Sequence, residues 1–205
     1  MLALCVPVYD VFEPPNVESI WKLQWPGGIT FNMAHGRLLD DARHGLTMAA
    51  LALPAVTHIL FADADMSYPA NAAIRLAAHG KPIVGGLCFE RRPPFSPTLF
   101  YDGGIPRLDY PRDALVRVDS TGGAFLLVER CVFDAISARD GIGAWWASGT
   151  REGGLPLAGD EAFLQRAKRL GYEVYVDTAV KTGHTGKICV DEAFYDTWRR
   201  GIGGL

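Results

Sequence analysis

Short runs that are apolar throughout alternate, over the first ninety residues, with longer stretches in which apolar side chains return every three or four positions. Leu2 to Val8 is the first apolar run and predicts a buried strand, with Pro7-Val8-Tyr9-Asp10 as its exit into a loop. Val17, Ile20, Trp21 and Gln24-Trp25 share one helical face, which Pro26-Gly27-Gly28 ends before a short strand around Ile29 to Met33. In Gly36 to Leu53 the apolar positions Leu39, Ala42, Leu46, Ala49, Ala50 and Leu53 predict a helix closed by Pro54. A second greasy run, Thr57-His58-Ile59-Leu60-Phe61-Ala62, then reads as a strand that runs straight into Asp63-Ala64-Asp65-Met66. Pro69 opens a helix over Ala70 to His79, Gly80 caps it, and Pro82 to Leu87 is the next strand.

The second half is patterned differently. Arg91-Arg92-Pro93-Pro94 and Tyr101-Asp102-Gly103-Gly104 are loop or hairpin signals around short strands, and Gly122-Gly123 leads into a strand through Val128. A short helix over Cys131 to Ser137, a long loop from Gly141 to Leu157 and a helix over Asp160 to Leu170 capped by Gly171 follow. Glu173 to Val180 closes the series as a strand. No internal repeat or low-complexity tract interrupts this order.

Strand and helix alternating in this way predict an α/β fold with a single, mostly parallel central sheet, right-handed crossovers and helices on its faces. At 205 residues the chain fits one domain with a full core, expected over residues 1–190, with a disordered tail at 191–205. A net charge of −3 offers no general basic surface for nucleic acid or anionic lipid. The opening Met1 to Pro7 is too short and uncharged for a signal peptide or membrane span, so a cytoplasmic location without membrane insertion is expected. Cys5, Cys88, Cys131 and Cys189 stand far apart with no C-x-x-C pair; the first three lie in or beside apolar segments and are expected as reduced, buried thiols.

Chemistry concentrates at the paired acids. Ligands of open parallel sheets bind at the carboxyl ends of strands, where Asp63 and Asp65 fall, as does Tyr9. In an extended segment residues i and i+2 point the same way, so both acids can face one pocket. Carboxylate oxygens suit a hard divalent cation such as magnesium, which is usually bound through one or two carboxylates plus substrate phosphates. The plainer reading is a pair of acids capping the next helix or solvated in a turn.

The run Phe61-Ala62-Asp63-Ala64-Asp65-Met66 resembles the D-x-D segment of glycosyltransferases with the GT-A fold, the family 2-like group that uses nucleotide-diphosphate sugars. Asp41-Ala42-Arg43-His44 resembles the A-R-N segment of those enzymes, and Gly122-Gly123-Ala124-Phe125-Leu126-Leu127-Val128 with the residues to Phe133 resembles their G-G-A-F-L-L stretch. Gly159-Asp160-Glu161-Ala162-Phe163 is similar to the E-D-x-x-F segment, and Gly183-His184-Thr185-Gly186 to the late G-H-x-G. The order matches over roughly residues 2 to 188. The resemblance implies a Rossmann-like GT-A fold with a nucleotide-sugar half at about 1–88 and an acceptor half at about 89–190. It implies a metal-dependent transferase with a nucleotide-diphosphate sugar, most commonly of uridine, as donor: Asp65 would be the main ligand of manganese or magnesium, Asp63 would contact the metal or the ribose, and His184 would complete the coordination or touch the phosphates. Pro7, Val8 and Tyr9 would line the nucleobase pocket, with Ala64 beside it, and Arg43 would pair with the diphosphate or with Asp63. Asp160 would be the base that deprotonates an acceptor hydroxyl, with an N-cap as its plain alternative role. Glycine stands at 159 where the family has glutamate, which leaves Glu161 as a second candidate for the base. Gly122 and Gly123 would allow a sugar close to the backbone, and Trp145 and Trp146 would stack on a sugar or else sit in the core. Lys187 and Arg91-Arg92 are weaker phosphate candidates.

Two other readings fit parts of the pattern. Phosphohydrolases of the haloacid dehalogenase type also place D-x-D after a hydrophobic strand, but after the first strand and without a methionine following. A nucleotide- or carbohydrate-binding protein that has lost turnover keeps the same acids without the glutamate at 159. The acceptor stays open, with a glycan or protein favoured and a modified DNA base allowed.

Overall fold

The computed structural model describes residues 1–9, 14–101, 104–150, 156, 157, 159–186 and 188–202. Asp10, Asp102, Gly103, Lys187 and part of the expected 141–157 loop lie outside the described residues. The chain runs β1 (Leu2–Val8), α1 (Pro14–Trp21), β2 (Ile29–His35), α2 (Leu39–Leu51), β3 (His58–Ala62), β4 (Met66–Ser67), α3 (Ala72–Ala78) and β5 (Ile83–Leu87). It continues through β6 (Leu99–Tyr101), β7 (Ile105–Pro106), β8 (Leu115–Val118), β9 (Ser120–Thr121), β10 (Phe125–Glu129) and α4 (Arg130–Asp140). Last come β11 (Gly149–Thr150), β12 (Pro156–Leu157), α5 (Gly159–Arg169), β13 (Val174–Lys181), β14 (Gly183–Thr185), β15 (Cys189–Val190) and α6 (Glu192–Ile202).

Seven strands form one mixed, mostly parallel sheet in the order β2-β1-β3-β10-β5-β13-β8. β1, β2, β3, β5 and β13 run one way; β10 and β8 run antiparallel to their neighbours. All seven residues of β1 are buried because both faces of the sheet are covered. Ala3 and Cys5 point into the layer built with α2, α4 and α5, while Leu2, Leu4, Val6 and Val8 point into the layer with α1 and α3. The expected α/β architecture is the one observed.

The insertion of β10 positions the site. Phe125 pairs with Ala62 in antiparallel register, so the turn Gly122-Gly123-Ala124 arrives at the carboxyl end of β3. There the Asp63 N–H donates to the Ala124 carbonyl at 2.9 Å. A second, three-stranded sheet, β15-β14-β4, pairs His184 with Met66 and so brings the late glycine-histidine segment beside the acidic turn. Among the described residues no helix is long and apolar enough to cross a membrane.

Two expectations change. The segment 191–205, expected as a disordered tail, carries α6: the Asp191 carboxylate caps its start by accepting from the Phe194 N–H at 2.8 Å. Tyr195 is fully buried against Phe89, and Phe194 and Trp198 meet the Phe95 ring edge to face. Cys131 is exposed, because it lies on the outer side of α4, whose inward face is Val132, Phe133 and Ile136. Cys5 and Cys88 are buried, and burial pushes both thiols up to about 12.

One buried ion cluster staples α3 to the sheet. Asp177 on β13 accepts from Arg75 Nε at 2.6 Å and meets His79 Nε2 at 2.7 Å, and the Ala179 N–H adds a third hydrogen bond. Burial pushes the Asp177 carboxyl up, but these partners outweigh it and hold the group below the usual carboxylate range. A depressed folded value means the contribution to stability is present above the ordinary carboxylate pKa and is lost as pH falls through and below it. Asp177→Asn is therefore expected to cost about 2 kcal/mol in urea unfolding at neutral pH, with the difference from wild type shrinking as unfolding is repeated towards pH 3.

Candidate active site

Asp63 and Asp65 leave β3 in a tight turn that the Tyr68 hydroxyl pins by donating to the Asp63 carbonyl at 2.7 Å. The two carboxylates part company there. Asp63 turns inward and accepts from Arg43 Nη2 at 3.2 and 3.3 Å through its two oxygens. Asp65 turns outward, where its Oδ2 lies 3.3 Å from His184 Nε2 and 3.0 Å from Arg91 Nη1. The expected trio of metal ligands is thus split: Asp65 and His184 meet, and Asp63 is held by Arg43 instead. Among the described residues no group of three metal-binding side chains is assembled.

The Asp65–His184 contact has a defined polarity. His184 Nδ1 sits 2.7 Å from the Phe89 carbonyl, an acceptor only, so that nitrogen carries the hydrogen. Nε2 then faces a carboxylate oxygen with its lone pair, unless a proton or a cation lies between them. That donor set, one imidazole nitrogen oriented by a backbone carbonyl and one carboxylate, fits a divalent metal with its remaining positions open. Burial pushes the Asp65 carboxyl up, but a hydrogen bond and charge from His184 when Nε2 carries a proton, together with the charge of Arg91, outweigh it and hold the group below its ordinary value.

Arg43 is the centre of the inner cluster. It projects from the buried face of α2, is 1% exposed, lies over the Trp146 ring at 5.6 Å, and reaches Asp63 on one side and Asp160 Oδ2 at 3.7 Å on the other. Its Nε and Nη1 have no hydrogen-bond partner. Burial raises Asp63 to about 6 against the pull of Arg43, with the charges of Asp65 and Asp160 adding to the rise. Asp160, in the first turn of α5, accepts from the Gly123 N–H at 3.0 Å and from the Glu161 N–H at 2.9 Å. Glu161 is half-buried on the same turn.

Several expected contacts are corrected. Pro7 and Tyr9 line the cleft, Tyr9 with 74% of its surface exposed, but Val8 points the other way into the core. Ala64 lines the cleft between the two acids. Trp145 and Trp146 are 2% and 1% exposed and present no free ring to a sugar. Their indole N–H groups are satisfied inside, Trp145 by the Phe133 carbonyl and Ser137 and Trp146 by Thr47, and Trp146 stacks on Phe163. Gly122 has ordinary contacts to Thr98, and the close approach at Gly123 is to Arg43: a Cβ there would lie 2.8 Å from the guanidinium. Gly123→Ala is accordingly expected to cost about 1–3 kcal/mol by displacing Arg43, read as a lower urea midpoint.

The acids open onto a cleft of about 820 Å³ between the carboxyl ends of β1 and β3 and the 183–186 segment. Its walls include three side chains that the sequence pattern did not assign to the site: Asn16, Leu39 and Thr185. Asn16 is buried, its Oδ1 accepts from the Thr185 hydroxyl at 3.0 Å, and its Nδ2 has no partner. Arg91, a weak candidate by sequence, lines the cleft and pairs with Asp65.

No family model and no curated protein matches the sequence. Solved structures do match the fold. A197 from STIV superposes with a TM-score of 0.67 at 15% identity, over 90% of this chain and 85% of that one. GalNAc-T7, in a structure with UDP, GalNAc and Mn2+, superposes with a TM-score of 0.61 at 10% identity, over 90% of this chain and 44% of that one. The fold is of the Rossmann-like GT-A kind. At these identities the likeness speaks for the fold alone.

Proposed function

We propose that the protein is a metal-dependent glycosyltransferase that moves a sugar from a nucleoside-diphosphate sugar to an acceptor hydroxyl. The observation that carries this reading is the Asp65–His184 contact at the mouth of the cleft, with Nδ1 committed to Phe89 and Nε2 turned to the carboxylate. The fold is shared with a protein whose structure holds UDP, GalNAc and Mn2+, which favours uridine and manganese for this chain. Pro7 and Tyr9 would flank the base, and the cleft is large enough for a nucleotide sugar.

Asp65 and His184 would hold the cation, which when bound offsets negative charge on the departing diphosphate. Arg91, half exposed and already beside Asp65, reaches the same charge with a guanidinium fork. Arg43 pairs with Asp63, which lines the cleft, and stands beside Asp160, so these charges are placed before substrate arrives. The acceptor's proton passes to the carboxylate cluster that contains Asp160, by single displacement and with inversion at the anomeric carbon. The donor half comprises about residues 1–88 and the acceptor half about 89–190. The protein acts in the cytoplasm.

A thermal-shift series with UDP, GDP and ADP, each with manganese, magnesium or a chelator, tests the reading. Stabilisation by one nucleotide only with metal is expected. No shift from any nucleotide at saturating metal would remove the donor site from the proposal.

A further inference from the structure

No side chain fits at position 159. A Cβ built on Gly159 would lie 2.0 Å from Oδ1, 2.3 Å from Cγ and 2.6 Å from Oδ2 of Asp40. The carboxylate of Asp40, from the first turn of α2, fills the space in which a residue opening α5 would place its own side chain. Two helices distant in sequence thus bring Asp40 and Asp160 to one point, with Arg43 beneath them. Arg43 faces this cluster fully buried, with Nε and Nη1 lacking hydrogen-bond partners.

Asp40 also faces space of its own. It lines a second cleft of about 700 Å³ together with Leu38, Asp41, His44 and Ser148. Leu39 lines both this cleft and the one that holds Asp63 and Asp65, so the two clefts are neighbours. A molecule in the second cleft would meet Asp40 in its wall, next to Leu39, which also borders the donor cleft.

We propose that Asp40 is a catalytic carboxylate that takes the proton of an acceptor hydroxyl bound in this second cleft. The inference rests on the transferase reading above. Both oxygens of Asp160 already accept backbone N–H groups, which makes Asp160 the fixed neighbouring charge. Burial first, and then the charges of Asp160 and Asp41, push the Asp40 carboxyl up against the pull of Arg43, in the direction that suits a proton acceptor. In the step itself the acceptor oxygen bonds to the anomeric carbon and the bond from that carbon to the diphosphate oxygen breaks. Its electron pair leaves with the nucleotide, and the hydroxyl proton passes to Asp40 and later to water. With Asp40 and Asp41 in its wall, the cleft suits a neutral hydroxyl compound and disfavours an anionic one.

The experiment measures UDP release, with water as acceptor, from UDP-glucose, UDP-galactose and their N-acetylated forms with manganese, alongside the UDP–manganese thermal shift. Asp40→Asn is expected to slow release by about 100-fold or more while leaving the UDP shift unchanged. In the double variant Asp40→Ala with Gly159→Asp, a carboxylate re-enters the same space from the other helix, and release is expected to recover well above that of Asp40→Ala alone. A merely structural role for Asp40 would not be rescued in this way. Release by Asp40→Asn close to the wild-type rate would overturn the proposal, as would a double variant no faster than the single one. A wild-type protein that binds UDP with manganese but releases UDP from none of the four sugars would overturn it and leave the donor site standing. Absence of UDP binding in the wild type would bring down the donor-site reading itself.

Discussion

Asp65→Ala is expected to abolish the manganese-dependent stabilisation by UDP. In the wild type, ligand at a hundred times its dissociation constant adds about 2.7 kcal/mol to stability. For a chain of this size that corresponds to a rise in melting temperature of roughly 5–10 °C. The substitution removes the carboxylate that faces His184 Nε2, leaving one imidazole nitrogen as the protein's contribution to the cation. A single neutral ligand does not compete with water and phosphate for a hard divalent ion. His184→Ala should weaken the same shift by the same route. The Asp65 side chain is 37% exposed and its pairs with Arg91 and His184 are screened by solvent, so the ligand-free melting temperature of Asp65→Ala should fall only slightly from that of the wild type. A UDP shift of wild-type size in Asp65→Ala, still sensitive to chelator, would move the metal elsewhere and with it the proposed donor site.

The sequence told most where the pattern was continuous. β1, β5 and β3 from Ile59 onward are apolar because the sheet is covered on both faces, and their ends came out within a residue or two. That same covering explains what could not be read. β10 looks like any other buried strand, and nothing in Phe125 to Glu129 announces that it enters antiparallel between β3 and β5. Direction is set by the path of the connecting chain and leaves no periodic trace. The site divides along the same line. Asp63 and Asp65 were legible as charges at a strand end, but their separation into an inner and an outer acid depends on Arg43, which reaches Asp63 from another element. Trp145 and Trp146 were ambiguous because an indole serves equally well in a core or on a sugar, and only the partners of their N–H groups decide. α6 did leave a signal in Asp191 as an N-cap followed by Phe194, Tyr195 and Trp198 on one face, which the closing glycines obscured. Asp40 left none, since its meaning lies in the missing side chain at Gly159.

Arg43→Met should be the most damaging single substitution to the fold near the site. Methionine can replace the packing of the aliphatic stem against Trp146, so the expected loss is electrostatic. Asp63 and Asp160 would remain with no cation between them, and breaking a buried pair in this way costs about 3–5 kcal/mol. Asp63 gives the loss a pH signature. Its folded pKa, about 6 with Arg43 present, is raised above the ordinary carboxylate value by burial. A raised folded value favours the fold below the ordinary pKa, and that advantage is lost as pH rises through the folded value. Without Arg43 the folded value rises further, so the charged form at neutral pH is disfavoured more. Urea unfolding of Arg43→Met should therefore show a larger deficit against wild type at pH 7.5 than at pH 5, where Asp63 is largely protonated in the folded protein. Adding Asp63→Asn should recover much of the deficit at pH 7.5 and little at pH 5, because it removes the charge that Arg43 had balanced. A deficit below about 1 kcal/mol, equal at both pH values, would mean that water reaches the Arg43–Asp63 pair and screens it like a surface salt bridge.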